Sequence, residues 1–334
     1  WTEVSVFGNG PSPTSFSTAL QEDISFPLVF IDGITRCGKS SLSGILPSLT
    51  NMEHIQFSTI LELVVPGLFL QKLDRDYAKS ITRIYLNELS YNLTLGRNVN
   101  FRHGDQTGIQ NYKDPDIYYS RLVKKDGPAV IDECRMQKNY IPFQTHDFLV
   151  NVQLLDVLDL NFKMLSLWRN PIDNIFSWWT RGWGDRFMNS DPSVFTLLVT
   201  GSEGQNLPWY CQNRDYDLNG LNPMESCVVI ATDLLQRAID SYSAFQEKNK
   251  IQHIFFEDLC VEPRLVIEKI CKFLDVEPTA STIEKTSQAR FPRQIVATQQ
   301  IEKIAEFERS LRPDIFVRLM DLSERYRLNR YGLV

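Results

Sequence analysis

Short apolar runs alternate with helical repeats along this chain. That order predicts an α/β protein, a three-layer arrangement with a mainly parallel sheet flanked by helices. Two observations carry the prediction. The runs at 27–31, 128–132, 162–168 and 251–256 are short, apolar and bounded by Gly, Pro, Asp or Arg, as buried strands are. Between them stand segments whose apolar residues recur at spacings of three and four, as in Ile81, Ile84, Tyr85 and Leu89.

The elements follow in order. Residues 1–23, rich in Gly, Ser, Pro and Thr, read as an arm, and 24–334 as a single domain. After the strand at 27–31 a helix is expected over 42–49, a short strand at 52–57 and helical structure over 60–95. The polar stretch 96–116 reads as a surface excursion, and 117–123 as a return to helix. A strand at 128–132 follows, then a helix over 148–160 and a strand at 162–168. A helix opens at Asp173. Residues 182–222 read as an irregular, substrate-facing insertion with aromatics around it. A helix over 227–242, a strand at 251–256, a helix over 265–274 and a charged helical tail over 301–327 complete the chain.

Composition narrows the class. The 334 residues carry a formal net charge of −6, which argues against a nucleic-acid or polyanion partner. The six cysteines are scattered, with no CxxC pair, which argues against a zinc site and fits a reducing, cytoplasmic compartment. No apolar run is long enough to span a membrane, so no stable membrane insertion is expected. A lumenal piece of an anchored enzyme is the alternative, since the chain begins at Trp1.

The richest stretch is 26–41, FPLVFIDGITRCGKSS. Gly33, Gly38, Lys39 and Ser40 satisfy G-x-x-x-x-G-K-[ST], a loop between strand and helix that cradles phosphates and makes the fold P-loop-NTPase-like. Glycines let the backbone approach an anion, and loop N–H groups with the helix N-terminus point at it. Arg36 and Lys39 add charge. One reading is therefore an Mg-ATP-dependent kinase or NTPase. Lys39 would meet the terminal phosphates, Ser40 would hold the metal, and Asp132, at the end of an apolar run, would supply a second metal carboxylate.

The exit of the third strand points elsewhere. Arg169-Asn170-Pro171-Ile172-Asp173 leads into a helix, with Ser177 eight residues after the Arg. An Arg fork and a nearby helical hydroxyl can share one phosphate. These residues resemble the second nucleotide motif of the PAPS-dependent sulfotransferases, where that phosphate is the nucleotide's 3′-phosphate. The loop 33–42 is similar to the family's G-x-x-R-S-G-T-[ST]-x-L, with Cys37 and Lys39 as departures. Phe256-Glu257-Asp258-Leu259, with Pro263 and Phe273-Leu274, is similar to a third family segment, whose acidic pair is largely structural.

The resemblance implies a divergent sulfotransferase of the EC 2.8.2 type. It would move a sulfonate from PAPS to a hydroxyl or amine of a small-molecule, lipid or carbohydrate acceptor, leave PAP as product and need no metal. Thr35, Arg36, Cys37, Gly38, Lys39, Ser40 and Ser41 would cradle the 5′-phosphosulfate. Arg36 and Lys39 would also act catalytically on the leaving phosphate. Arg169 and Ser177 would grip the 3′-phosphate, with Arg290 and Arg293 standing for the family's missing R-K-G closure. The candidate bases are Glu133, His54 and Glu62. His146 lies in Thr145-His146, similar to a Thr-His pair of some relatives, but is far past Asp132. The aromatics at 178, 179, 183, 209 and 210 suit a carbohydrate, phenol or lipid acceptor.

Overall fold

The computed structural model describes residues 18–186, 191–201, 204–212, 218, 220–289, 291 and 297–333. The predicted arm lies mostly outside these residues, and 18–23 are exposed and without regular structure. Strand β1 (Leu28–Asp32) is followed by helices α1 (Lys39–Ile45), α2 (Thr59–Phe69), α3 (Arg75–Thr94), α4 (Asp116–Arg121) and α5 (Pro128–Met136). Then come β2 (Ile141–Gln144), α6 (Gln153–Val157), β3 (Phe162–Trp168), α7 (Pro171–Trp179) and α8 (Trp183–Arg186). The strands β4 (Leu198–Thr200) and β5 (Asn206–Pro208) form a separate antiparallel pair. Helix α9 (Pro223–Ala244), strand β6 (Ile251–Phe255) and helices α10 (Phe256–Val261), α11 (Pro263–Leu274), α12 (Ala280–Gln288), α13 (Ala297–Ser310) and α14 (Pro313–Asn329) complete the order.

The central sheet is parallel, in the order β2-β1-β3-β6. Its strands are apolar almost throughout because both faces are covered. Along β1 the side chains alternate between two cores. Leu28 and Phe30 join Phe143, Phe148 and Phe162 beneath α2, α3, α7 and α9. Val29 and Ile31 join Leu42, Leu165 and Ile254 beneath α1 and α11. This is the expected three-layer α/β fold. The chain leaves β1 with β2 on one side and β3 on the other. That is a switch point, where α/β sheets place ligands beyond the carboxyl ends of the strands.

Two local expectations are corrected. Residues 128–132 are not a strand but the start of α5. Gly127 has φ 130°, Pro128 takes the first helical turn, and Val130 and Cys134, four apart, are the buried residues. Four apolar or small residues before an Asp fit a strand and one helical turn equally well, and here contact with α3 decides. The strand beside β1 is instead IPFQ, at 141–144. Pro142 is tolerated because β2 lies at the sheet's edge. The strand expected at 52–57 is reduced to the bridges Met52–Tyr140 and Gln56–Phe143. The charged tail is two helices, divided before Pro313.

The six cysteines form no disulfide and all are buried. Asn92, in the one Asn-x-Thr sequon, is buried on α3. Among the described residues no helix is long and apolar enough to cross a membrane.

A buried charge ties α4, the helix after the excursion, to the sheet edge. Glu53 is fully buried. Its carboxylate accepts from Arg121 Nη2 (2.9 Å) and Nη1 (3.0 Å), Tyr118 Oη (2.8 Å) and Asn139 Nδ2 (2.9 Å). Burial pushes the carboxyl up, but these donors outweigh it and hold it below the usual range. Removing one partner of such a pair strands the other. Glu53→Ala should therefore cost about 3–5 kcal/mol, read as a lower urea midpoint at unchanged m-value.

Candidate functional site

The loop after β1 has a shape that only its glycines permit. Gly33 has φ 145°, and a Cβ there would lie 2.5 Å from Leu167 O. Gly38 has φ 110°, and a Cβ would lie 2.3 Å from the Phe256 ring. Both positions are closed to side chains in conformation and in space. Cys37 is buried in the core beneath α1, so its thiol faces the protein.

The loop's carbonyls are held from below. Trp178 Nε1 donates to Thr35 O at 2.5 Å, and Asn174 Nδ2 to the same oxygen at 3.3 Å. Arg169 Nη1 donates to Arg36 O at 3.0 Å. Lys39, 4% exposed, donates to Gly33 O and, at 3.1 Å, to Ile34 O. In a trans peptide the N–H points opposite to its C=O, so these contacts turn the N–H groups of Thr35 and Arg36 away from the core. Lys39 braces its own loop from inside rather than reaching over it.

The two motifs read separately from sequence meet here. Arg36 Nε donates to Ser177 Oγ at 3.1 Å across 141 residues. The Arg169 guanidinium lies 4.7 Å from the Phe256 ring centre, and its Nε is buried without a partner. Burial first, then the nearby positive charges of Arg181 and Arg169, push the Arg36 guanidinium down. Three like charges kept together in this way favour an anion between them. The turn carrying Arg169 is fixed by Glu257, whose Oε1 accepts from Asn170 N at 2.8 Å. Glu257 Oε2 accepts from the Tyr326 hydroxyl and from Arg330 at 3.3 Å, while Asp258 accepts from Arg330 at 3.1 Å. The acidic pair thus ties the chain's last helix to the site.

On the other side of the loop, the chain leaving β2 brings three ionisable groups together. Thr145 Oγ1 (2.9 Å), Phe148 N (3.0 Å) and Leu149 N (2.9 Å) all donate to the Asp32 carboxylate at the end of β1. This locks residues 145–149. His146 N donates to Glu62 Oε1 at 2.8 Å, and its Nδ1 stands 3.4 Å from the same oxygen. Asp147 is buried, has φ 60°, and leaves Oδ1 without a partner. Burial, with Asp32 and Glu62 adding to it against Lys39 and His146, pushes its carboxyl up to about 7. A cavity of about 350 Å³ opens beside Thr35, Glu62, His146 and Asp147. Trp183, Phe195, Trp209 and Tyr210 from the insertion also line it.

The remaining candidates are placed as follows. Ser40 is exposed, and its carbonyl accepts from Gln106 Nε2 at 2.7 Å, which anchors the 96–116 excursion to α1. Ser41 follows in the same first turn. Glu62 reaches the cavity. Glu133 does not stand after a strand; it lies on α5, paired with Lys124 at 2.5 Å. Asp132 is on the same exposed helix, paired with Arg135 at 2.7 Å, so the expected second metal carboxylate is not at a strand end. His54 is buried with Nε2 2.9 Å from Gly108 O, in a different cavity lined by Asn98, Asn100 and Thr107. Arg290 and Arg293 lie outside the described residues. Sequence reasoning passed over Asp147, Arg181 and Trp178's hold on the loop. Arg181 lies in the turn just past α7.

The family model described as "Sulfotransferase domain" matches residues 27–300. The chain is similar to the sulfotransferase domain of the Synechococcus PCC 7002 olefin synthase, at 16% identity and TM-score 0.44, covering 93% of this chain and 98% of that one. It is similar to the sulfotransferase domain from the curacin biosynthetic pathway, at 12% identity and TM-score 0.47, covering 90% and 97%. It is also similar to a sulfotransferase from Alicyclobacillus acidocaldarius, at 17% identity and TM-score 0.36, covering 89% and 96%. No curated protein matches the chain.

The raised carboxyl of Asp147 makes a testable link to stability. Between its ordinary pKa and about 7 the folded state holds a proton that the unfolded chain releases. Stability from this group is present below that window and lost as pH rises through it. Each tenfold difference in proton affinity between the folded and unfolded chain corresponds to about 1.4 kcal/mol. Urea midpoints taken at about pH 5 and pH 8 should show the wild type weakening, and Asp147→Asn should flatten the difference. An unchanged slope would remove Asp147 as the titrating group.

Proposed function

The chain belongs to the sulfotransferase domain family, and on that premise we propose that it moves a sulfonate from PAPS to an acceptor hydroxyl, leaving PAP. The observation that carries the donor assignment is the junction of Arg36, Arg169 and Ser177. An anion-binding loop and an Arg–Ser pair, remote in sequence, share one hydrogen bond. The buried, unpartnered Nε of Arg169 is a donor suited to a phosphate oxygen. A 3′-phosphate at Arg169 and Ser177 with a 5′-phosphosulfate at the loop would neutralise the three crowded guanidiniums. Gly33 and Gly38 keep the loop close enough for backbone donors such as the Thr35 and Arg36 N–H groups to contribute.

The acceptor's place is the cavity beside Thr35. His146 is the group we assign as base. The acceptor O–H bond breaks toward the imidazole, a new O–S bond forms, and the bond from sulfur to the bridging oxygen breaks, with its electron pair leaving on the nucleotide phosphate. Glu62 orients the imidazole through the backbone bond and the 3.4 Å approach to Nδ1. Charge gathering on the leaving phosphate meets Arg36 and the loop's N–H groups. Lys39 acts by shaping the loop from beneath. The kinase reading loses its second carboxylate, since Asp132 lies in an exposed ion pair on α5.

Thermal-shift titrations in EDTA test the donor. Stabilisation by 3′,5′-ADP should exceed that by 5′-ADP, and Arg169→Ala should remove the difference, a loss of about 1.5–3 kcal/mol for a hydrogen bond to a charged group. Equal shifts from both nucleotides, or a shift seen only with Mg-ATP, would sink the PAPS assignment. His146→Ala should lower turnover by about 10²–10⁴-fold while leaving 3′,5′-ADP binding unchanged. Wild-type turnover in that variant would pass the role of base to another group.

A further inference from the structure

The segment that closes β6 faces two ways. Phe255 and Phe256 are neighbours in the chain, yet their rings meet different arginines. The Arg169 guanidinium lies 4.7 Å from the Phe256 ring centre, and the same ring fills the space where a Cβ on Gly38 would stand. The Arg330 guanidinium lies 4.7 Å from the Phe255 ring centre. Glu257 is divided in the same manner. Its Oε1 accepts from Asn170 N at 2.8 Å, and its Oε2 accepts from the Tyr326 hydroxyl and, at 3.3 Å, from Arg330 Nη1. One oxygen serves the turn that carries Arg169, and the other serves the end of α14. A shift of this carboxylate would move both.

The turn after α14 reaches the same place from a second direction. The Tyr331 ring stands 5.7 Å from that of Trp168 and 5.3 Å from that of Tyr326. Arg330 and Tyr331 have φ 50° and 60°, in the left-handed region, and neither is glycine. One such residue is common where a helix ends. Two in succession are costly unless their surroundings hold them. Here Arg330 is held by Glu257, by Tyr326 Oη at 2.7 Å and by Asp258 at 3.1 Å. Tyr326 is itself buried. What this disfavoured backbone delivers is a ring against Trp168 and a guanidinium on the carboxylate that holds Asn170. Those are the two residues that flank Arg169.

Building on the PAPS reading, we infer that Tyr326, Arg330 and Tyr331 are positioning residues for the nucleotide's 3′-phosphate. They hold Trp168 directly and Asn170 through Glu257, so that Arg169 stays over Phe256 and its Nε meets a phosphate oxygen. The preference for a nucleotide with a 3′-phosphate over one without it is then set in part by the turn at 330–332. Coupling of this kind is reciprocal. A 3′-phosphate on Arg169 should in turn steady that turn.

The test compares 3′,5′-ADP with 5′-ADP by calorimetry in EDTA. Wild type should bind 3′,5′-ADP more tightly. Arg330→Ala and Tyr331→Ala should each weaken 3′,5′-ADP about 5- to 50-fold and leave 5′-ADP within about twofold. Tyr326→Phe removes only a hydroxyl, keeps the ring and the net charge, and should act in the same direction. It decides the outcome if an alanine variant fails to fold. Arg327→Ala removes an exposed charge paired with Glu324 on the same helix and should bind both nucleotides as wild type does. In the Arg169→Ala background, Arg330→Ala should add little, since residues that act through one group are not additive. Hydrogen exchange at 330–333 should slow with 3′,5′-ADP and not with 5′-ADP. Equal weakening of both nucleotides, a full effect of Arg330→Ala in the absence of Arg169, or an equal response from Arg327→Ala would overturn the inference. If wild type binds the two nucleotides equally, the PAPS reading fails and the inference with it. If wild type prefers 3′,5′-ADP and every variant keeps that preference, this inference alone is lost.

Discussion

The hold of α7 on the loop between β1 and α1 is the constraint on which the site depends. Trp178 and Asn174 draw in the carbonyl of Thr35, and Arg169, just before the helix, draws in that of Arg36. A loop with two glycines at positive φ has much conformational freedom to lose. These side-chain donors fix it in one shape, and Lys39 closes the shape from within. The same helix carries Ser177, whose hydroxyl meets Arg36. One helix therefore both shapes the glycine loop and places a hydroxyl against its arginine.

That helix must itself be placed, and two charged clusters do this. Glu257 ties the turn before α7 to Tyr326 and Arg330 at the chain's end. Lys303 on α13 pairs with Asp173 on α7 at 2.5 Å. On the opposite edge of the sheet, Glu53 and Arg121 bind α4 to the segment beside β2. Glu53, buried, and Glu257, partly buried, are each satisfied by several donors, which is what makes a charge tolerable there. Residues far along the chain thereby set angstrom-scale geometry at a loop near its start.

The site divides into two electrostatic halves. Guanidiniums crowd the side reached from β3 and α7, and carboxyl groups with one imidazole occupy the side reached from β2 and α2. On the proposed reading this division suits sulfonate transfer: the positive side would meet charge as it gathers on the leaving group, and the other side would take up the proton. Asp32, at the end of β1, uses its carboxylate to lock the chain that carries His146 and Asp147. The boundary between the halves is thus set by the first strand itself.

Where function depends on neighbours in sequence, this chain is legible without a structure. Strand, glycine loop and helix over 28–45 follow from local rules, as do the strand before Arg169 and the helix after it. What could not be read is anything decided by packing. PAVID and IPFQ are both short and apolar, and only the surface of α3 and the edge of β1 settle which becomes helix and which strand. That misreading made His146 look too distant, because its place is measured from β2 and not from Asp132. Lys39, read as a phosphate ligand, turns inward because two carbonyls of its own loop are in reach. The sequence alone determined the fold class and the strand–glycine loop–helix order over 28–45, since apolar runs, helical spacing and glycine placement are patterns of residues a few positions apart. The tertiary structure decided which side chains share the site, since sheet order brings residues 36, 62, 146 and 177 together and no periodicity records that.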